Sequence, residues 1–521
     1  MQERRSRFAR LSVELAFCSA LVLAAVVFSM LSPHPLGHAD EGYFLQHTKR
    51  VLAGQAVYRD FHEQYSPLGY YLMAVPWLLF GVNIKTTVFA MAAVHGGIAV
   101  LIYATARRLS VGPWLSVSGG LLHLALARPV WPMASGHWFG AFFLMLVFYV
   151  LARSPRARSP VNQAIAGVCA GVYIAVQYQK GIPIAVGLLA LVCIEWWLER
   201  GRSGTPEVTL PRALLITGGS VAAVALILLL PHVVTAGLPQ LIDQFFSQIG
   251  GYREINRASW GYVPPYLSDL EQSTSIPALE FMPLLILLGL VRSLLAWRRG
   301  DLPELRKLTL LCVYCSFTAA ATLYRPDFVH LAYVAAPFFV FMAETAQWLV
   351  DRLGRALASP RATQGVAFAV FVAVLVAAAV HLSAFIEHRK ERFRYSAMTA
   401  FGEVDFWSAK EAALIRAVLD GMKDLPTREI FCYPGCASMY VLADAENPTP
   451  YDLVFYPSIH SKKHVDEILR ILEKRRVRYV VHLGMGVSRS DPVIRYVKRH
   501  YVRVKGKRGA KLPLYRRKAA D

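Results

Sequence analysis

The sequence predicts an α-helical polytopic membrane protein carrying a small α/β domain at its C-terminal end. Two observations predict it. Of 521 residues, 55% are hydrophobic and only 17% charged, with a mean hydropathy of +0.38, too apolar for a soluble chain of this length. Runs of roughly 20 apolar residues, the length that crosses a bilayer core about 30 Å thick, recur between Leu11 and Phe385 and then stop.

The runs place spans near residues 11–31, 86–107, 112–128, 137–152, 162–178, 182–198, 213–235, 277–297, 307–323, 329–350 and 365–385, about eleven in all. The basic stretch Arg4-Arg5-Ser6-Arg7 before the first run suggests a signal peptide. The apolar run that follows exceeds the roughly 7–15 residues of a cleaved signal, so it reads as a retained helix. Pro67–Gly81 is short and contains Pro76, which suits a helix lying in the membrane interface. With that stretch not crossing, every loop on the N-terminal side is basic: Arg4–Arg10, Arg107-Arg108, Arg153–Arg158, Arg200–Arg212, Arg298–Lys307 and Arg352–Arg361. Lysine and arginine are retained on the cytoplasmic side, so the expectation is a multi-pass protein of a bacterial cytoplasmic (inner) membrane with a cytoplasmic N-terminus.

The same parity makes Ser32–Lys85, Pro129–Gly136, Gln179–Gly181, Ala236–Ile276 and Tyr324–Phe328 outer loops and puts the C-terminal domain outside. The expected division is a transmembrane domain over 1–385 and an extracytoplasmic α/β domain over 386–521. In the latter, helices are expected at Ala409–Met422, Lys463–Lys474 and Pro492–His500, and strands at Glu429–Tyr433, Arg478–His482, Val502–Val504 and Leu514–Arg516.

The net charge of +21 is explained largely by short basic loops and by a basic tail suited to membrane lipids, and no nucleic-acid-binding motif accompanies it. Cys18, Cys169, Cys193, Cys312 and Cys315 fall inside apolar runs, where cysteine acts as a small hydrophobe. Cys432 and Cys436 lie outside them, open to pairing or to remaining thiols.

Ionisable groups at a membrane edge are costly and are therefore functional candidates. They gather on the outer side. The first outer loop holds Asp40 and Glu41 and then Asp60, His62, Glu63 and Tyr65; later edges add Arg128, His137, Lys180, Arg325, Asp327 and His330. Each has a plainer use: Asp40-Glu41 as a helix cap, Lys180 as a snorkelling side chain, Arg325 with Asp327 as a surface ion pair. Their coincidence on one face is what suggests a site with a base, a cationic clamp and apolar walls for a lipid tail.

Asp40-Glu41-Gly42-Tyr43, Leu52-Ala53-Gly54-Gln55-Ala56-Val57-Tyr58-Arg59-Asp60 and Tyr65-Ser66-Pro67-Leu68-Gly69-Tyr70-Tyr71 resemble the first outer loop of the GT-C membrane glycosyltransferases. The pattern is similar to the bacterial branch of the dolichyl-phosphate-mannose protein mannosyltransferase superfamily, which includes the aminoarabinose transferase of lipid A and lipopolysaccharide galacturonosyltransferases. The resemblance implies a polyprenyl-phosphate sugar as donor and an envelope glycan, lipid or protein as acceptor. It implies Asp40 as general base with Glu41 assisting, and inversion at the anomeric carbon. Lys180, Arg325 and His330 would hold the donor phosphate, with Asp60, His62, Glu63, Tyr65 and Asp327 around the substrates. Where the aminoarabinose transferases carry an acid and a lysine before a proline pair, this chain has Gln64-Tyr65-Ser66-Pro67. No Asp-x-Asp pair demands a metal, and a divalent ion at Asp40, Glu41 and Asp60 stays open. Two other readings compete: a transporter or flippase of lipid-linked glycans, and a non-catalytic membrane scaffold. The chain shows no internal repeat and no paired interrupted helices to favour the former.

Overall fold

A computed structural model describes residues 2–37, 40–153, 159–203, 208–245, 282–423, 428–454, 456, 460–483, 488, 490–505 and 511–518. Parts of the expected loops 153–158, 200–212 and 236–276, the start of the expected span 277–297, and His38 lie outside the described residues.

Helices stand at every expected span: α1 (Gln2–Leu31), α4 (Ile84–Arg108), α5 (Pro113–Leu122), α6 (Gly136–Ala152), α7 (Pro160–Val176), α8 (Tyr178–Ser203), α9 (Leu210–Ala236), α10 (Met282–Arg299), α11 (Leu302–Ala320), the pair α12 (Phe328–Val334) and α13 (Ala336–Ala356), and α14 (Pro360–Arg392). Among the described residues, five segments are long and apolar enough to cross singly: Leu11–Leu31 of α1, α4, Tyr178–Arg200 of α8, α9 and α14. The pair α12–α13 makes a sixth, bent by 67°. Pro337 sits in the first turn after that break, where its missing N–H costs nothing and its ring opposes a straight continuation. Helices α6 and α7 have 17 residues each, about 25 Å; Trp138, Leu144, Val147 and Phe148 of α6 are fully buried, while α7 exposes Val161, Ile165 and Val168. Helix α5 does not end at Leu122 but changes winding, to a π-helical turn over His123–Ala127 and a 3-10 turn over Arg128–Val130.

The first outer loop contributes α2 (Asp40–Leu52) and α3 (Leu68–Phe80). At 13 residues α3 is about 20 Å long, short of the roughly 30 Å a crossing needs. Both its ends are tied down by hydrogen bonds. Ser66, just before it, donates to Ile174 O at 2.7 Å, and after it Ile84 N–H donates to Phe401 O at 2.9 Å while Trp77 meets the Phe401 ring. Val75, Leu78, Leu79 and Phe80 are exposed, an apolar face suited to lipid at the interface.

Beyond α14 an antiparallel hairpin, β1 (Tyr395–Thr399) with β2 (Gly402–Phe406), turns through Gly402 at φ +102 and carries Phe401 to α3. The local sequence pattern does not predict this hairpin. The remaining sheet has the order β3-β4-β6-β5, from β3 (Phe431–Tyr433), β4 (Tyr479–His482), β5 (Tyr501–Lys505) and β6 (Lys511–Arg517). Strands β3 and β4 are parallel and the other pairs antiparallel. Helices α15 (Ala409–Lys423), α17 (Lys462–Lys474) and α18 (Pro492–His500) match expectation, and the short α16 (Ser438–Leu442) is an addition. Cys432 and Cys436 form a disulfide.

This domain docks on α2. Gly42 leaves no room for a side chain, because a Cβ there would lie 2.4 Å from the Ser438 backbone nitrogen. Gly42→Ala is therefore expected to force α16 away from α2 and to cost about 1–3 kcal/mol, the usual range for overpacking. A lowered melting temperature together with new protease cleavage near α16 checks it.

Candidate active site

Asp40 opens α2, and its carboxylate faces a cavity of about 130 Å³. The cavity lies where the start of α6, the junction of α7 with α8 and the start of α12 converge on the first outer loop. Arg325, His330 and Tyr333 form one wall, Tyr43, Tyr65 and Tyr70 another. Ser135, His137 and Gln177 also line it. Among the described residues Asp40 has no hydrogen-bond partner for its carboxylate, and protein crowding around it raises its pKa while the Arg325 charge opposes the rise. A carboxylate held this way has an oxygen free to accept a proton.

The wall of Arg325 and His330 is held from behind. Asp327 caps α12, accepting from His330 N–H at 2.9 Å, meets His330 Nδ1 at 2.7 Å and binds Arg325 Nε at 2.6 Å. Burial works to raise the Asp327 pKa, but the contacts from His330 and the Arg325 charge outweigh it and hold it to about 2. It thus acts as a permanent anion that orients both groups toward the cavity. Lys180 is buried with its Nζ 3.3 Å from His137 Nδ1 and 4.6 Å from the centre of the Tyr333 ring. It stands behind His137 and Tyr333, which themselves line the cavity. Gln177, the single residue between α7 and α8, hydrogen-bonds His137.

The structure thus brings Asp40, Tyr65, Arg325 and His330 to one cavity, with Asp327 and Lys180 behind its walls. The other loop residues go elsewhere. Glu41 turns away from that cavity, and its carboxylate accepts from Ala134 N–H at 2.8 Å and Gly37 N–H at 3.0 Å, while burial pushes its pKa up to about 7. Successive helical residues point about 100° apart, which is why two adjacent acids do not share a cavity. Asp60 pairs with the exposed Arg59 and accepts from Ala56 N–H. His62 packs among Tyr451, His460 and His464 of the C-terminal domain, 5.4 to 5.6 Å ring to ring.

Glu63 is fully buried and organises the loop. It accepts from Gln64 N–H at 2.6 Å and Tyr65 N–H at 2.7 Å, and it bonds the Tyr70 hydroxyl and, at 2.5 Å, His47 Nδ1. His47 in turn meets Asp452 at 3.1 Å, and Arg50 grips the same carboxylate at 2.7 Å and 3.0 Å. A continuous polar chain therefore runs from Asp452 of the C-terminal domain through His47 and Glu63 to Tyr70 on the cavity wall. Burial tends to lower the His47 pKa, but the Glu63 and Asp452 carboxylates on either side raise it instead. Leu453, next to Asp452, lines the cavity itself. Sequence reading missed His47, Asp452 and Leu453. His47 lies only seven residues past Asp40 on one helix, a spacing that would have placed it on that face, but nothing local marks the other two.

A larger cavity of about 670 Å³ lies at the far ends of these helices. Volume does not select the site; the convergence of an exposed carboxylate with an oriented arginine and histidine does.

No family model matches the chain, and no curated protein matches it in sequence. Its fold is similar to that of two solved membrane proteins. ArnT from Cupriavidus metallidurans bound to undecaprenyl phosphate superposes with a TM-score of 0.61 at 15% identity, over 97% of this chain and 98% of that one. The apo form of the same protein gives 0.55 at 14% identity over 91% and 94%. The oligosaccharyltransferase of Archaeoglobus fulgidus gives 0.57 at 12% identity over 90% of this chain and 69% of that one.

Proposed function

We propose that the protein is an inverting glycosyltransferase that moves a sugar from a polyprenyl phosphate to a hydroxyl of an envelope glycan, lipid or protein. The observation that carries this reading is the single cavity shared by Asp40, Arg325 and His330. Asp40 takes the proton of the acceptor hydroxyl as that oxygen attacks the anomeric carbon. The bond from that carbon to the phosphate oxygen breaks on the opposite side, and its electron pair leaves with the lipid phosphate. Arg325, oriented by Asp327, meets the growing negative charge, an interaction stronger in the transition state than before it. Lys180 adds positive potential from behind His137.

That ArnT was solved bound to undecaprenyl phosphate supports a polyprenyl-phosphate donor. The site belongs to the outer face of a cytoplasmic membrane in this reading, with the N-terminus inside. Basic loops at the far helix ends and the Cys432–Cys436 disulfide in the domain beside the site support that orientation.

The test is to incubate the purified full chain with a panel of polyprenyl-phosphate sugars labelled in the sugar, together with an envelope-glycan extract. Label should leave the lipid for one donor, with inverted configuration in the product. Folded protein that releases label from none of them would sink the proposal. Arg325→Ala is expected to slow transfer by roughly 10²- to 10³-fold, the range for removing one donor to a developing negative charge.

A further inference from the structure

The hairpin β1–β2 ties the C-terminal domain to the ends of spanning helices. Only Phe393 and Arg394 separate its first strand from α14. Its tip meets the first residue of α4: Ile84 N–H donates to Phe401 O at 2.9 Å, and a Cβ on Gly402 would lie 3.3 Å from Ile84 Cγ2. Asp405 reaches past the end of α1, accepting from His34 N–H at 2.7 Å. The hairpin therefore lies along the membrane boundary on the Asp40 side, where α1 and α14 end and α4 begins.

One face of the hairpin is packed and the other is bare. Ala397, Val404 and Phe406 are buried, whereas Met398 is 73% exposed and Trp407, one residue past β2, is 65% exposed. A sheet face turned to water ordinarily carries polar side chains, although single exposed apolar residues are common on soluble surfaces. These two do not stand alone. Phe401, at the tip, packs on Trp77 of α3 with ring centres 5.6 Å apart, and α3 exposes Leu78, Leu79 and Phe80 beside that contact. At the other end of the hairpin, the Arg392 guanidinium lies 5.3 Å from the centre of the Trp407 ring. An indole beside a cation suits the headgroup layer, with the ring toward the acyl chains and the charge toward the lipid phosphates. Glu403, opposite Met398, accepts from Ser396 Oγ at 2.7 Å. The bare face is thus amphipathic, which fits the interface and not the hydrocarbon core.

We propose that the β1–β2 hairpin is a membrane anchor. Met398 and Trp407 enter the headgroup–acyl boundary of the phospholipid leaflet on the Asp40 side, extend the apolar face of α3 and seat the C-terminal domain on the bilayer. The proposal rests on the membrane-spanning fold and is independent of the transferase reading.

Nitroxide labels at Met398→Cys, Trp407→Cys, Leu79→Cys and Arg499→Cys, each in the full chain in nanodiscs of phosphatidylcholine and phosphatidylglycerol, test it. All four positions are exposed, so the label does not disturb packing. The native chain treated alike supplies the background from its own cysteines. Collisions with oxygen, which concentrates in the bilayer, are compared with collisions with a water-soluble nickel chelate. The oxygen-to-nickel ratio at 398 and 407 is expected to match that at 79 and to exceed that at 499 severalfold. Ratios at 398 and 407 equal to that at 499 overturn the proposal. So does dipolar broadening at 398 or 407 that disappears on dilution with unlabelled protein, which would place a second copy of the chain on this face. The double substitution Met398→Asp, Trp407→Asp is expected to speed hydrogen exchange over 395–406 severalfold in the same nanodiscs, and unchanged exchange overturns the anchoring role.

Discussion

Replacing Asp40 by asparagine is expected to lower sugar transfer by roughly 10²- to 10⁴-fold, the contribution of a positioned general base, with little change in folding stability. The amide would keep the shape of the side chain but would not accept the acceptor's proton. Because the Asp40 carboxylate faces the cavity and has no hydrogen-bond partner among the described residues, the fold does not depend on it. Its neighbour supplies the contrast. Glu41→Ala strands the N–H groups of Ala134 and Gly37, two buried or partly buried donors, and is expected to cost about 2–5 kcal/mol of stability before chemistry is affected. Single-turnover transfer measured beside thermal unfolding separates the two. If Asp40→Asn melts lower and transfers at the native rate, the roles assigned to the two acids are reversed.

Asp452→Ala is expected to be the most damaging substitution in the C-terminal domain. It would leave Arg50 and His47 buried and facing no carboxylate on that side, and breaking a buried ionic network by removing one partner costs about 3–5 kcal/mol. The domain should come away from α2, visible as faster hydrogen exchange over 40–52, and transfer should fall with it because Leu453 and Tyr70 lose their support. The same network sets a pH dependence. Since His47 has its pKa raised on folding, its stabilisation is present in full below about pH 6.5, the unfolded value, and is lost as pH rises through the raised folded value. Burial alone would raise the Asp452 pKa, but Arg50 and His47 hold it down to about 2, so its contribution is present above about pH 3.9 and fades only as pH falls toward 2. Melting temperatures between pH 5 and 9 should therefore decline toward the alkaline end, and the decline should flatten in His47→Gln. Identical slopes in both proteins would remove His47 from the network.

Placement of the helices was legible in the residues because hydropathy is a local property: a run of apolar side chains must be taken out of water wherever it folds. The spans from Leu11 to Phe385, the interfacial character of Pro67–Gly81 and most elements after Ala409 follow from composition and periodicity. Asp40, Arg325 and His330 were legible for a related reason, since charge at a membrane edge is costly and needs an explanation. Tertiary structure alone decided which of these groups meet. One residue step along the helix turns Glu41 about 100° away from Asp40, so Asp40 faces the cavity and Glu41 the backbone N–H groups of Gly37 and Ala134. Glu63 is consumed by two backbone N–H groups, Tyr70 and His47. The hairpin that carries Phe401 and the loop that carries Asp452 and Leu453 are polar or short, and their roles rest on partners far away in the chain: Trp77, His47 and Arg50. Burial free energy acts on single segments and can be read from them, whereas a hydrogen bond needs two groups within about 3 Å of each other, and only the folded chain supplies that distance.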